Sequence, residues 1–188
     1  MEEWVRKDLL TPLYDIDPCK RALFQPSFQN MALITRTMPL IRALMDPKWD
    51  VVIAERSFIA DAYVFARIGL TNFPEPLTDP DDSEMSATWK AYYLAWKEMC
   101  KTISQVFTGE MTMIYLDLDP AVAAYRICQR GRGAEDNINM DYLKKVHQAH
   151  QDMIDMLQKD NFPHLPGLKI NPIPVDANAS EHDVLNKV

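Results

Sequence analysis

Helical periodicity alternating with short apolar runs predicts an α/β protein built on a parallel sheet. Two stretches carry this. Val51-Val52-Ile53-Ala54 is a run without a polar residue, the pattern of a short strand covered on both faces. Residues 113–118 (Met113, Ile114, Tyr115, Leu116, Leu118) form a second apolar, branched run that ends at Asp117-Leu118-Asp119-Pro120. A length of 188 residues, with 47% apolar and 25% charged residues, suits one globular domain with a real core. No repeat, linker or low-complexity tract divides it, so residues 1–188 are read as a single domain.

Taken in order, residues 4–14 have helical spacing (Trp4, Val5, Leu9, Leu13) and stop at the turn Asp15-Ile16-Asp17-Pro18. Residues 28–45 form a longer helix, with Phe28, Met31, Ala32, Ile34, Met38, Ile41 and Leu44 keeping a 3.6-residue period. Pro39 is expected to bend or break it. After the turn 46–50 comes the strand 51–54. Glu55-Arg56-Ser57 then leaves its carboxyl end, where ligand sites of open α/β sheets lie. Residues 59–68 read as a helix and 71–86 as an acidic, proline-rich loop. Trp89, Tyr92, Tyr93, Trp96 and Cys100 recur at the spacing of a packed helix face rather than an aromatic ligand box. Pro120 can open a helix after the second strand, because its missing N–H costs nothing there. Residues 140–157 form another helix. Pro172 and Pro174 restrict 170–175 to an edge or terminal strand, and a last helix starts at 183. A sheet of this kind normally opens with a strand and a phosphate loop, whereas this sequence opens with a helix.

Composition excludes several classes. A formal net charge of -7 argues against coating a polyanion. No apolar run is long enough to span a bilayer, and Met1-Glu2-Glu3-Trp4 is unlike a signal peptide. Cys19, Cys100 and Cys128 are scattered without a C-x-x-C, so a reduced, cytoplasmic chain is expected. The five glycines (69, 109, 131, 133 and 167) form neither G-x-x-x-x-G-K-[ST] nor G-x-G-x-x-G. Against the acidic background, Arg126, Arg130 and Arg132 make a local cationic site at a helix–loop junction. His147 and His150 lack a nearby third ligand and read as packing residues of their helix.

Three separated segments are similar to one family. Glu55-Arg56-Ser57 followed by Asp61-Ala62-Tyr63-Val64-Phe65 resembles the ERS…D-x-Y-x-F segment of the deoxyribonucleoside kinases. Tyr125-Arg126-Ile127-Cys128-Gln129-Arg130-Gly131-Arg132, with Glu135, Ile138, Tyr142-Leu143, His147 and His150, resembles that family's arginine-rich lid and the helix after it. Phe28-Gln29 with Ala32 and Arg36 resembles its substrate helix, FQxxAxxxR. Together the matches run from about residue 4 to 176.

The resemblance implies a P-loop-kinase-like parallel sheet flanked by helices, and ATP- and Mg²⁺-dependent phosphorylation of a deoxynucleoside 5′-hydroxyl. It also implies a homodimer packed through helices, with 28–45 and 89–100 as candidates. Glu55 (also the expected Mg²⁺ holder), Arg56 and Arg130 are the implied catalytic residues. Trp4, Tyr14, Phe28, Gln29, Arg36, Asp61, Phe65 and Glu135 would bind the nucleoside, with Tyr14 and Glu135 on the 3′-hydroxyl. Arg126, Arg130, Arg132 and Asp176 would hold the nucleotide cofactor. Asp117 and Asp119 become strand-end residues rather than a catalytic carboxylate pair. Arg36 and Asp61 match a pair lying over the base in members that take deoxycytidine or deoxypurines, which favours those bases over thymidine.

The family's first strand, its G-x-x-x-x-G-K-[ST] loop and its E-P-x-x-x-W glutamate are missing from this chain. Two readings follow: an N-terminally shortened form of a working kinase, and a non-catalytic nucleoside-binding or structural relative. Retention of the lid arginines, Glu55-Arg56 and the substrate helix favours the first. A nucleoside monophosphate kinase shares the architecture, but FQxxAxxxR and ERS speak against it.

Overall fold

The computed structural model describes residues 11–14, 17–69, 86–159, 164–165 and 167–186. After a 3₁₀ turn at Thr11–Tyr14, helix α1 spans Pro18–Met45. It starts ten residues before the expected Phe28, because Asp17 caps it through a hydrogen bond from the Cys19 N–H (2.9 Å) and Pro18 sits in the first turn. Pro39 does not break it. Pro39 and Thr35 are both exposed, so the carbonyl that loses its helical donor is open to water. The expected helix at 4–14 lies outside the described residues except for Thr11–Tyr14, as does the acidic loop before Ser86.

The next helical stretch, α2, consists of Phe58–Ala60, a π-helical segment Asp61–Ala66 and Arg67–Gly69, running on without interruption. Helix α3 (Ala87–Val106) is capped by Ser86. Strand β1 (Glu110–Asp117), helix α4 (Pro120–Arg130), a 3₁₀ turn Gly133–Glu135, helix α5 (Met140–Gln158), strand β2 (Lys169–Asp176) and helix α6 (Glu181–Leu185) complete the order. Asp119 caps α4 and Gly131 ends it with a left-handed φ of 60°, a conformation glycine adopts at no steric cost.

β1 and β2 pair in parallel, in register from Glu110 opposite Lys169 to Asp117 opposite Asp176. Pro172 and Pro174 are tolerated because β2 has β1 alone as a neighbour among the described residues. Met111, Met113 and Tyr115 point to the core, whereas Ile114 and Leu116 on the other face of β1, with Ile173 of β2, are exposed. Among the described residues that second face is covered only at its carboxyl end, where Val175 is buried.

The segment 51–54 corrects a sequence expectation. It forms no strand, and Val51 and Ile53 are 74% and 93% exposed. An isolated extended run gains nothing from β propensity without a hydrogen-bonded neighbour, and none is present here among the described residues.

The core is helical. The stripe on α3 (Trp89, Tyr92, Tyr93, Trp96, Cys100, Ile103) is buried against α1, α2 and α5. Trp96 is completely buried and its indole N–H donates to the Phe58 carbonyl at 2.9 Å, tying α3 to the start of α2. Trp96→Phe should lower stability by about 1–3 kcal/mol, since the Phe58 carbonyl loses its donor in a dry site. Trp96→Ala should cost about 3–5 kcal/mol. Urea unfolding midpoints of the two variants check the order and the sizes.

Candidate functional site

One cleft opens between α1, the start of α2 and the turn after α4. It is lined by Leu13, Tyr14, Gln25, Phe28, Gln29, Arg36, Arg56, Phe65, Arg132, Glu135 and Tyr142. On α1, Gln25, Gln29 and Arg36 follow one another at i, i+4 and i+11, so the 3.6-residue period places them on one stripe. Gln29 is 4% exposed, and its carboxamide makes no hydrogen bond within the protein among the described residues. An amide at the cleft wall without a partner from the protein can pair with an external group offering one donor and one acceptor.

Arg36 forms an ion pair with Asp61, whose side chain is 1% exposed. The second carboxylate oxygen of Asp61 has no partner. Burial raises the Asp61 pKa to about 6 even though the Arg36 guanidinium pulls it down. Asp61 opens the π-helical segment, where Arg67 N–H reaches back to Ala62 as well as Val64. Such widened turns commonly occur at functional sites, and here the same segment carries Phe65 to the cleft.

Arg56 stands just before α2 with φ 72°, left-handed backbone in a residue that is not glycine. Ser57 then caps α2, its hydroxyl accepting from the Ile59 N–H at 3.1 Å. A conformation costing about 1–2 kcal/mol is tolerated where the surrounding structure demands the side-chain direction it produces.

Glu135 is 8% exposed and held by arginines. Arg130 donates through Nε (3.1 Å) and a terminal nitrogen, and Arg132 lies 3.6 Å from the other carboxylate oxygen. Next to it the Tyr14 and Tyr142 hydroxyls are hydrogen-bonded, their rings edge to face with centroids 5.9 Å apart. Burial and then the Glu135 carboxylate raise the Tyr14 pKa, while Arg56 and Arg130 act against them. Two guanidiniums, a carboxylate and two phenols thus share one end of the cleft.

Of the residues read from sequence, Tyr14, Phe28, Gln29, Arg36, Arg56, Phe65, Arg132 and Glu135 line this cleft. Asp61 and Arg130 reach it through their ion pairs. Glu55 is exposed and lines an adjoining depression with Arg36, Thr37, Leu40, Ala54, Arg56 and Phe58. Arg126 and Asp176 lie elsewhere, at the carboxyl end of the sheet. The Arg126 guanidinium donates to the carbonyls of Ala177 (2.9 Å) and Ala179 (3.1 Å), and Asp176 accepts from Asn178. Trp4 is outside the described residues.

Asp117 accepts from Gln151 Nε2 at 2.9 Å and lies 3.8 Å from His147 Nδ1, while Asp119 caps α4. His150 packs on Tyr115 (5.4 Å, 13°) and edge-on against Phe65. Among the described residues no cluster of three or more His, Cys, Asp or Glu could hold a metal by itself. Sequence reasoning gave no site role to Leu13, Gln25 or Tyr142. The available signal was the Phe-Gln pair occurring twice, at 24–25 and 28–29, one helical turn apart.

Comparison with known proteins agrees with the segment resemblance. A family profile described as deoxynucleoside kinase matches residues 1–188. The chain is 31% identical over 175 residues to a fowlpox virus protein named probable deoxycytidine kinase, covering 91% of this chain and 65% of that one. It is 28% identical to deoxycytidine kinase of Homo sapiens over 156 residues (80% of this chain, 56% of the relative). It is also 28% identical to that of Bos taurus over 165 residues (85% and 60%). The chain therefore spans about three fifths of the length of these relatives.

The raised Asp61 pKa makes stability depend on pH. The folded state holds the proton more tightly than the unfolded chain, so this stabilisation is complete below pH 3.8 and is lost as pH rises through about 6. Unfolding free energy should fall across that window by about 3 kcal/mol relative to Asp61→Asn, and stay level above it. Denaturant titrations of both proteins from pH 3.5 to 7.5 check this. At the strained position, Arg56→Gly should be more stable than Arg56→Ala by about 1 kcal/mol, as read from thermal unfolding.

Proposed function

The chain belongs to the deoxynucleoside kinase family, and from that premise we propose that it serves the transfer of the γ-phosphate of ATP to the 5′-hydroxyl of a deoxynucleoside, with Mg²⁺, in nucleotide salvage. The observation carrying this reading is the convergence on one cleft of an unpartnered buried Gln29, the Arg36–Asp61 pair, Arg56, Arg132 and Glu135, drawn from three well-separated stretches of sequence.

In this reading the Gln29 carboxamide pairs with a base edge while Phe28 and Phe65 wall the ring. The unpartnered oxygen of Asp61 accepts from an exocyclic amino group, and Arg36 donates beside it. A thymine methyl would meet a charged pair instead, so deoxycytidine and deoxypurines are preferred over thymidine. Tyr14 and Glu135 hold the 3′-hydroxyl. Arg56, Arg130 and Arg132 supply planar donors matching phosphate oxygens, which is most of what a positioning-and-electrostatics reaction demands of the protein. Glu55, exposed and without companion ligands among the described residues, suits Mg²⁺ shared with phosphate oxygens and water rather than enclosed by protein. Arg126 and Asp176 frame the donor side through the loop 177–179. Assembly is a homodimer in the cytoplasm. Its surface uses outward apolar residues such as Ile34 and Met45 on α1 and Leu94 on α3, not the aromatic stripe, which faces the core.

Calorimetry with deoxycytidine, deoxyadenosine, deoxyguanosine and thymidine tests the acceptor half. Thymidine should bind at least tenfold more weakly than the best of the others, and Gln29→Leu should lower affinity for that nucleoside by about tenfold or more. Binding by none of the four would end the nucleoside reading. The second reading is a nucleoside binder without turnover. Transfer from γ-labelled ATP separates the two. Arg130→Ala should then reduce turnover at least a hundredfold with less than tenfold loss of nucleoside affinity, whereas equal losses would contradict a transition-state role.

A further inference from the structure

Gln25 lies one helical turn before Gln29 on the same stripe of α1 and lines the same cleft. Like Gln29, it makes no hydrogen bond within the protein among the described residues. Opposite it stands Gly69, the last residue of α2. A Cβ on Gly69 would fall 2.3 Å from Gln25 Nε2 and 2.4 Å from its side-chain carbon, so the carboxamide occupies space that only glycine leaves open. Two unpartnered carboxamides therefore face one cleft, the second with a recess that fits it.

Order along the helix distinguishes their tasks. Gln29 lies between Gln25 on one side and Arg36, with its Asp61, on the other. Helix side chains lean toward the N-terminus, so Arg36 reaches back toward Gln29 while Gln25 stays beyond it. A base set edge-on to this stripe presents three neighbouring positions: the exocyclic group at C4 or C6, the ring nitrogen beside it, and the substituent at C2. The Arg36–Asp61 pair takes the first and Gln29 the second.

Resting on the nucleoside reading above, we propose that Gln25 is a specificity-determining residue that reads the C2 substituent of the base. A freely rotating carboxamide can accept from the 2-amino group of guanine or donate to O2 of cytosine. It finds no partner on adenine, which carries only hydrogen at C2. The site then favours deoxyguanosine and deoxycytidine over deoxyadenosine.

Deoxyinosine is deoxyguanosine without the 2-amino group, and it isolates this contact. Calorimetry on the wild-type chain should show deoxyguanosine binding about three- to tenfold tighter than deoxyinosine, the worth of one neutral hydrogen bond. Gln25→Leu should bring that ratio to about one. Gly69→Ala, displacing the carboxamide with a substitution a helix accepts, should lower the ratio likewise. Gln25→Glu, an acceptor without a donor, should keep deoxyguanosine and weaken deoxycytidine about tenfold or more. A deoxyguanosine-to-deoxyinosine ratio near one in the wild type, or one equal in wild type and Gln25→Leu, overturns the assignment and leaves the nucleoside site standing. If the wild type binds no nucleoside, the site reading falls and the role of Gln25 falls with it.

Discussion

The Arg36–Asp61 ion pair is the constraint on which the cleft depends. Asp61 is almost wholly removed from water, and a carboxylate in that position is costly unless a cation stays beside it. The guanidinium of α1 must therefore remain against the first turn of the π-helical segment, which fixes the rotation of α1 about its axis. That rotation turns Gln25 and Gln29 inward. The widened turns after Asp61 carry Phe65 to the same opening, and Trp96 anchors the preceding residues through Phe58. Asp61 keeps one oxygen unpartnered and a raised pKa, both unfavourable to folding at neutral pH, behind the cleft-lining Arg36.

At the other end, charge is balanced around Glu135. Arg130 and Arg132 come from opposite sides of Gly131, whose left-handed backbone ends α4 and sends the chain back toward the carboxylate. Both guanidiniums are engaged by this carboxylate. Arg126 stands apart from them: one of its terminal nitrogens donates to two backbone carbonyls after β2 and stitches α4 to that loop.

Much of the architecture was legible. β1, α3, α4, α5 and the edge character of β2 follow from apolar period, caps and prolines, all local properties. The start of α1 at Asp17-Pro18 was also written in the sequence, and it was hidden behind the weaker apolar period of residues 18–27. The segment 51–54 misled for the opposite reason. Its composition is that of a buried strand, but a strand exists only with a hydrogen-bonded neighbour, and composition says nothing about that. Among site residues, those inside dense motifs were recoverable, while Gln25 and Leu13 were not, because their place in the cleft depends on Gly69 and on the packing of distant turns.

By itself, the sequence determined which residues are helical, which face of each helix is apolar, where caps and prolines start and stop the chain, and which family the motifs belong to. These are set by neighbours within a few positions, through side-chain direction and backbone hydrogen bonding. Only the tertiary structure decided that Glu135 takes up two of the arginines, that Arg126 serves the backbone, and that Gly69 leaves room for Gln25. Each of these is a contact between separate segments. Its energy comes from removing charge or polar groups from water together, which no stretch of chain can do alone.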